Sequence, residues 1–232
     1  MRTNNLIIKS VCPNISDKQL DQLYMYYAIL KEESSKMNLT SITEIEEVYI
    51  KHFYDSILLA KTIEISNKTL VDVGTGAGFP GLVLKIIEPS LKLTLIEPTT
   101  KRCNFLNKVI SKLNLDDVVV INDRAEKAIV NFRESFDIAT ARAVANLQIL
   151  LELLVPFVKV GGYVVPMKGS NIQEEIEQAK NAINKLKTKI VEVKQYMLPK
   201  DLGERNIVIL NKKEKTLDIY PREYAKIKKK PL

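Results

Sequence analysis

The sequence has little of the residues on which several common kinds of protein site depend. Its 232 residues include two cysteines, one histidine and no tryptophan. Cys12 and Cys103 provide neither a disulfide framework nor a metal-ligand spacing, so we expect a reducing compartment and no metal. No apolar run approaches the roughly 18 residues of a transmembrane helix, and residues 1–12 lack the apolar stretch of a signal peptide. These absences predict a cytoplasmic protein without a membrane partner.

Positive charge is unevenly distributed along the chain. The formal net charge is +7, yet residues 180–232 hold 15 Lys and Arg against 6 Asp and Glu, and the rest of the chain is slightly acidic. A basic surface of this kind favours polyanions such as nucleic acid, although a Lys-rich surface that only solubilises the protein has the same composition. The 46% apolar content and the length are those of one folded domain, for which we expect a monomer.

The first third of the chain has the apolar periodicity of helices. Ser16 fits the N-cap of one helix with apolar residues at helical spacing from Leu20 to Leu30. Thr43 with Glu46 fits the capping box of a second helix. We therefore predict a helical extension over residues 1–66.

From residue 69 the pattern changes to short apolar runs that alternate with amphipathic stretches. Such alternation is typical of parallel βαβ units with helices on both faces of a sheet. The last two runs have no helix between them and are predicted to pair as a hairpin at the sheet edge. The expected fold is a single α/β domain over 1–232, with a doubly wound, mostly parallel sheet in a core over 67–211 and a basic tail over 212–232. The apolar runs cover residues 69–73, 91–96, 118–121, 136–139, 162–167, 190–196 and 207–210.

The strongest functional signal is a glycine-rich loop between the first of these strands and the next helix. A loop in that context allows a tight turn and lets a ligand approach the backbone. We call this segment the glycine loop. It reads Asp72-Val73-Gly74-Thr75-Gly76-Ala77-Gly78-Phe79-Pro80-Gly81.

Asp72 discriminates between two ligands for the glycine loop. Gly76, Gly78 and Gly81 also fit the G-x-G-x-x-G pattern of dinucleotide-binding proteins, but a neighbouring carboxylate would repel their pyrophosphate. S-adenosylmethionine has no phosphate, and its ammonium and sulfonium cations are favoured by a carboxylate. The D-x-G-x-G-x-G pattern therefore predicts a methyltransferase that binds S-adenosylmethionine.

Two further positions are expected near the nucleoside part of this cofactor. Glu97 ends the next strand, where a carboxylate accepts hydrogen bonds from ribose hydroxyls. This position would serve a dinucleotide equally well, so it indicates a nucleoside rather than one cofactor. Residues 123–126 follow the third strand, and in this fold that loop lies beside adenine. Its members are Asp123, Arg124, Ala125 and Glu126.

Cations that follow the later strands are candidates for positioning an anionic substrate. Arg142 follows the fourth strand and is suited to an RNA phosphate or guanine O6, with a structural ion pair as the alternative. Lys168 follows the fifth strand, and Arg205 is expected nearby. His52 is predicted to be structural, with a contact to RNA as the alternative. The lysines of the tail would add sequence-independent affinity for RNA, or would simply be solvated.

With these residues identified, the chain resembles the 16S ribosomal RNA guanine-N7 methyltransferase family (RsmG, also called GidB) over residues 38–232. The glycine loop alone is common to many methyltransferases, so the resemblance rests on an ordered set of motifs. They are Asn38-Leu39-Thr40, Lys51-His52-Phe53, Asp55-Ser56, the glycine loop, Lys101-Arg102, Arg124-Ala125-Glu126, Ala141-Arg142-Ala143-Val144-Ala145, Gly161-Gly162, Met167-Lys168-Gly169 and Tyr220-Pro221-Arg222.

The resemblance implies methyl transfer from S-adenosylmethionine to N7 of a guanine, at position 527 of 16S ribosomal RNA, with that RNA or the small subunit as partner. Guanine N7 has an in-plane lone pair and loses no proton, so no general base and no certain catalytic residue are expected. The chain departs from the family at Glu97-Pro98, where Asp-Ser is usual, and at Glu223-Tyr224-Ala225, where a Gly-containing turn is usual. The cofactor contacts that the resemblance implies are Gly74, Phe79, Ala125, Glu126 and Arg142.

Other kinds of protein share parts of this pattern. A dinucleotide-dependent oxidoreductase has a similar glycine loop, but one histidine and the lack of a Ser/Tyr/Lys trio argue against it. A cofactor-binding ribosome-assembly factor without turnover fits the same residues, because the chemistry needs so few of them. A methyltransferase for another RNA nucleotide fits them as well.

Overall fold

A β-sheet of seven strands forms the centre of the protein. The computed structural model describes residues 2–37, 39–142 and 145–232. The strands are β1 (Thr69–Val73), β2 (Lys92–Ile96), β3 (Val118–Ile121), β4 (Phe136–Arg142), β5 (Val158–Lys168), β6 (Thr188–Met197) and β7 (Glu204–Lys212). They lie in the order β3-β2-β1-β4-β5-β7-β6, and all pairs are parallel except the two that include β7. The predicted doubly wound, mostly parallel α/β fold is confirmed.

Burial along the strands explains why they could be predicted from apolar runs. β1 and β2 lie inside the sheet and are buried at four of their five positions, as expected when helices cover both faces. β6 is at the edge, and most of its residues are at least partly exposed. The predicted hairpin of the last two strands is confirmed, with residues 198–203 as its connection. Its β7 strand also pairs with β5, so β6 forms the outer edge.

The described ranges contain ten α-helices. α1 lies within the predicted helical extension, whereas α7 and α10 were not predicted from the sequence. The helices are α1 (Arg2–Val11), α2 (Asp17–Met37), α3 (Ile45–Val48), α4 (Asp55–Ala60), α5 (Gly81–Ile87), α6 (Thr100–Leu113), α7 (Ala125–Phe132), α8 (Leu147–Leu154), α9 (Ile172–Lys185) and α10 (Tyr224–Lys229).

One of the two predicted helix caps is correct. Ser16 caps α2: its Oγ accepts from the Gln19 backbone N–H, and the Gln19 side chain accepts from the Ser16 N–H. The capping box predicted at Thr43 and Glu46 is wrong. α3 has Glu44 at its N-cap without a side-chain hydrogen bond, and the Glu46 carboxylate pairs with Lys200 in the β6–β7 connection.

A π-helical segment, Tyr49–Tyr54, joins α3 to α4. Val48 and Phe53 are five residues apart and both are fully buried, a spacing that fits the wider π turn better than an α turn. π segments are frequent at functional sites. Here the segment carries His52 and leads directly into Asp55, and both side chains reach the end of β4.

Two hydrophobic cores cover the two faces of the sheet. Successive strand residues point to opposite faces, so Leu70 packs with helices of the extension in the first core and Val71 packs in the second. The second core contains helices α7, α8 and α9, together with Ile227 from the tail. The ends of the chain therefore pack on opposite faces. Among the described residues, no helix combines the length and apolar character needed to cross a bilayer.

Candidate functional site

The Asp72 side chain makes hydrogen bonds to two parts of the glycine loop. Its side chain is fully buried, and Oδ2 accepts from the Thr75 hydroxyl at 2.7 Å and from the Gly81 backbone N–H at 2.9 Å. The carboxylate therefore joins the start of the loop to the N-terminus of α5. Burial raises the pKa of Asp72 to about 6, and these hydrogen bonds oppose the rise. Oδ1 is also buried and has no hydrogen-bond partner in the described part of the chain.

Three glycines give the loop a backbone that other residues rarely adopt. Gly74, Gly76 and Gly78 have φ angles of 69°, 61° and 95°. A Cβ at Gly76 would meet nothing within 4 Å, so the space beside it is open to a ligand. A Cβ at Gly78 would lie 2.6 Å from both the Leu82 side chain and the Tyr26 hydroxyl. One side of the loop thus faces a cavity and the other faces the core.

Tyr26, on α2 of the extension, supports the loop from the core side. Its hydroxyl donates to the Ala77 carbonyl, and its ring stacks on Phe79 at a centroid distance of 5.3 Å. Burial raises the pKa of Tyr26 well above its usual value, so the hydroxyl remains a donor. Sequence reasoning missed this residue, because an aromatic at helical spacing is indistinguishable from any other core residue.

Glu97 lies beside the glycine loop, as predicted for the end of β2. It is 2% exposed, and Oε2 accepts from the Gly76 N–H at 3.1 Å while Oε1 accepts from the Thr99 N–H at 3.0 Å. The carboxylate thus bonds to the loop that the cofactor is expected to approach. Its contact with ribose hydroxyls stays a prediction.

A cavity of about 250 Å³ opens between the glycine loop and the loop that follows β3. We call it the glycine-loop cavity. It brings together three predicted cofactor residues, Gly74, Ala125 and Glu126, whose contacts with the cofactor stay predictions. Its largely apolar walls suit a planar nucleoside base. The lining residues are Val73, Gly74, Ile96, Pro98, Arg124, Ala125, Glu126, Leu153 and Tyr224.

Arg142, at the end of β4, contacts both the glycine loop and the π segment. Its guanidinium carbon lies 5.0 Å from the centroid of the Phe79 ring, a cation–π arrangement. Its Nη1 donates to the Lys51 carbonyl at 3.1 Å and to Asp55 Oδ2 at 2.9 Å. The ion pair that the sequence left as an alternative is therefore present. It holds the guanidinium in place beside the predicted cofactor and substrate positions.

Asp55 is the carboxylate that organises this cluster. It is 1% exposed and lies between Arg142 and Arg205, whose Nε is 3.2 Å from Asp55 Oδ1. Arg205 comes from β7, and Asp55 brings it close to Arg142. The sequence offered Asp55 only as part of a family motif, because no local pattern shows that two distant arginines converge on it.

Lys168 differs from the expectation of a cation on the open edge of the sheet. It is 9% exposed, and its Nζ pairs with Glu175 Oε2 at 2.8 Å and donates to the Ala145 carbonyl at 2.7 Å. The same Glu175 oxygen accepts from the Leu147 N–H at 2.7 Å. The ammonium therefore joins the end of β5 to α8 and α9. Its role in positioning substrate stays a prediction.

These cations surround a second cavity, of about 400 Å³, at the carboxyl ends of β4 and β5. We call it the arginine cavity. Ligands of doubly wound sheets bind at the carboxyl ends of the strands, and both cavities lie there. A larger cavity of about 690 Å³, around Asp137 and Gly161, lies at the amino ends of β4 and β5. The arginine cavity is lined by Ile42, Lys51, His52, Asp55, Arg142, Met167, Lys168, Gly169, Glu175 and Arg205.

His52 is buried and neutral. Its ring stacks on Phe79 at 4.5 Å, and its Nε2 lies 3.1 Å from the Thr40 hydroxyl. Burial, and then the charge of Arg142, lower the pKa of His52 to about 3. Neutral imidazole accepts at Nδ1 from the Arg142 guanidinium at 3.2 Å when Nε2 carries the proton. The predicted structural role fits this environment.

Replacing His52 with glutamine is expected to make the free energy of unfolding fall less steeply as the pH is lowered from 7 to 4. The folded pKa of about 3 lies below the unfolded value near 6.5, so the neutral ring contributes stability that is present above pH 6.5 and lost as pH falls toward 3. By pH 4 the wild type should lose roughly 3 kcal/mol of unfolding free energy more than the variant. Urea unfolding at pH 7, 6, 5 and 4 measures the difference.

Asp72 has the opposite effect to His52 on the pH dependence of stability. Its raised pKa adds stability as pH falls from about 6 toward 4, but this contribution is present in both proteins and cancels in the comparison. Parallel pH profiles for wild type and His52→Gln would contradict the assignment of a buried neutral imidazole.

Two parts of the predicted motifs fall outside the described residues, namely Asn38 and the pair Ala143-Val144. Cys103 is 4% exposed, and its thiol donates to the Glu97 carbonyl at 3.1 Å. Across the described ranges, no group of three or more His, Cys, Asp or Glu has metal-binding geometry.

Sequence comparisons match nearly the whole chain to one family. The family model described as rRNA small subunit methyltransferase G (GidB) matches residues 19–208. The protein of that name from Staphylococcus saprophyticus is 46% identical over 220 residues, which cover 94% of this chain and 92% of the relative. The one from Bacillus cytotoxicus is 48% identical over 222 residues, which cover 94% and 93%.

Solved structures share the fold at low sequence identity. A ribosomal protein L11 methylase from Lactobacillus delbrueckii has a TM-score of 0.56 at 16% identity, and the match covers 71% of this chain and 79% of that one. A SAM-dependent methyltransferase from Aquifex aeolicus has a TM-score of 0.56 at 17% identity, covering 75% and 96%. At these identities the likeness shows the fold alone.

Proposed function

The chain belongs to the rRNA small subunit methyltransferase G family, and we propose that it methylates N7 of a guanine in 16S ribosomal RNA. We assign S-adenosylmethionine, the cofactor predicted from the glycine loop, as the methyl donor of this methyltransferase. The guanine N7 position, number 527 in that RNA, is supported by the ordered motifs that this chain shares with the family. We infer that the monomer acts in the cytoplasm on the RNA or the small subunit.

The observation that carries the proposal is the position of Arg142. Its guanidinium lies over Phe79 of the glycine loop and also lines the arginine cavity. One side chain therefore contacts the loop assigned to the cofactor and the cavity assigned to the base. Methyl transfer requires those two ligands to meet in a fixed orientation.

The charge of the arginine cavity fits an RNA substrate. Four cations and two carboxylates line it, and His52 is neutral, so its net charge is positive. Guanidinium groups bind phosphate with two parallel hydrogen bonds and can donate to guanine O6, which leaves the N7 lone pair free to react. The cations are Lys51, Arg142, Lys168 and Arg205, and the carboxylates are Asp55 and Glu175.

The proposed chemistry asks little of the protein beyond binding and orientation. S-adenosylmethionine supplies an electrophilic methyl group, which forms a bond to the N7 lone pair as its bond to sulfur breaks. Because N7 carries no proton, no base is needed, and this agrees with a buried histidine that remains neutral. The residues proposed to hold the cofactor are Asp72, Gly74, Gly76, Gly78, Phe79, Glu97, Ala125, Glu126 and Arg142.

Transfer of labelled methyl groups to small subunits that lack the modification tests the proposal. The RNA is digested to nucleosides and the labelled one is identified by mass. We expect 7-methylguanosine with the wild type and no label with Gly74→Arg. Gly74 has a φ of 69° and lines the glycine-loop cavity, so a long side chain there fills the site.

The outcomes separate the alternatives. Label in another nucleoside would mean a methyltransferase with a different target. No transfer despite tight cofactor binding would contradict the proposal and favour a ribosome-assembly factor that binds the cofactor without turnover.

A further inference from the structure

The tail is a folded part of the protein. Residues Tyr224–Lys229 form α10, and Ile227 is fully buried in the second core against helices that cover the sheet. Tyr220 and Leu232 are buried in the same core. Lys226, Lys228, Lys229 and Lys230 are themselves exposed, so affinity for RNA and simple solvation both stay open for these side chains.

A buried ion pair fixes the position of the tail. Glu152, on α8, is fully buried, and both its oxygens accept from Arg222. Arg222 Nε donates to Oε1 at 2.7 Å and Nη2 to Oε2 at 2.6 Å, and the Arg222 backbone N–H donates to Oε1 at 3.0 Å. A buried carboxylate left without its partner is strongly destabilising, so this contact specifies where the tail lies.

This position places Tyr224 at the glycine-loop cavity. The residue lies two positions after Arg222, at the start of α10, and it lines the cavity with Gly74, Ala125 and Glu126. The opposite walls come from the ends of β1 and β2 and from the loop after β3. The tail thus supplies one wall of a cavity otherwise built by the central βαβ units and α8.

We propose that Tyr224 is a cofactor-positioning residue whose ring packs against the adenine of S-adenosylmethionine. The inference rests on the proposed function for the identity of the ligand. An aromatic ring and a purine stack favourably, and the other walls here, such as Ile96 and Leu153, are apolar. Docking of the tail therefore completes the cofactor site.

Binding of S-adenosylhomocysteine to the full-length protein without RNA tests the proposal by calorimetry. Tyr224→Ala is expected to raise the Kd about tenfold to a hundredfold, the usual effect of removing an aromatic ring that stacks on a base. Tyr224→Phe keeps the ring and should bind within a few-fold of the wild type. The thermal midpoint of the ligand-free protein reports whether each variant is folded.

Ile219→Ala is the matched control, since Ile219 is a tail residue that is 66% exposed and does not line the cavity. It should leave the Kd unchanged. Equal affinities of wild type and Tyr224→Ala would overturn the proposal while leaving the proposed function intact. Failure of the wild type itself to bind S-adenosylhomocysteine would instead overturn the proposed function and this inference with it. Should Tyr224→Ala unfold, Tyr224→Leu, which retains apolar bulk without the aromatic face, should show the same loss of affinity.

Discussion

Alanine at Gly78 is expected to lower the free energy of unfolding by about 2–4 kcal/mol and to abolish detectable cofactor binding. The added Cβ would lie 2.6 Å from the Leu82 side chain and 2.6 Å from the Tyr26 hydroxyl, both in the buried core beneath the glycine loop. The backbone at this position has a φ of 95°, which disfavours alanine before any contact is considered. Relief of the clash must move Tyr26, and with it the support of the Ala77 carbonyl.

Alanine variants of two other glycines distinguish backbone strain from the steric clash as causes of the lost stability. Gly161 has a φ of 85°, and a Cβ added there would meet nothing within 4 Å. It lies toward the amino end of β5, away from the glycine loop, so its alanine variant measures backbone strain alone. Gly76 also has open space but lies in the loop itself, so alanine there should cost about 1 kcal/mol of stability while weakening cofactor binding.

Urea unfolding gives the free energy of unfolding of all three variants, and calorimetric titration gives their Kd for S-adenosylhomocysteine. The order of destabilisation should place Gly78→Ala well above the other two. A Gly78→Ala protein as stable as Gly161→Ala would show that the core beneath the loop yields easily, and the proposed support by Tyr26 would be wrong.

Local patterns predicted the parts of this protein whose cause is local. Continuous apolar runs such as Thr69–Val73 became buried strands because each is covered on both faces. The glycine loop could be recognised because its backbone conformation restricts the residue type at Gly74, Gly76 and Gly78. In both cases the physical constraint restricts the types of residues that are consecutive in the chain, so the sequence alone reveals it.

The unpredicted features depend on contacts between distant segments. Tyr26, Asp55 and Tyr224 reach the site from α2, from the start of α4 and from the tail. No spacing rule connects these positions to the strands they meet. Lys168 shows the converse, since its place after a strand was predicted but its burial depends on Glu175, which lies on the following helix.

Asp55→Asn is expected to reduce the rate of methyl transfer by about 100-fold, with a smaller loss of cofactor affinity through the displacement of Arg142. Asp55 is 1% exposed and its carboxylate pairs with Arg142 at 2.9 Å and Arg205 at 3.2 Å. Asparagine keeps the size but removes the charge, so two guanidinium groups then repel each other across a neutral amide. A displacement of about 1 Å in groups that orient a substrate is enough for a loss of this size.

The substitution also carries a stability cost, which a matched variant separates from the effect on function. Asp137, at the amino end of β4, accepts from the Thr69 N–H at 2.8 Å and pairs with Lys159 at 3.0 Å. Asp137→Asn therefore disrupts a comparable network at the opposite end of the same strand, and should lower stability with little change in the transfer rate.

A double-mutant cycle with Arg205→Gln completes the test. If Asp55 acts by holding the arginines, the two substitutions together should cost less activity than the sum of the two alone, with a coupling of about 1–3 kcal/mol. Single-turnover transfer to small subunits measures the rate, and urea unfolding measures the stability of each variant. An Asp55→Asn enzyme that is no slower than Asp137→Asn would show that Asp55 only stabilises the fold. Arg142 would then be oriented by the Lys51 carbonyl and His52 instead.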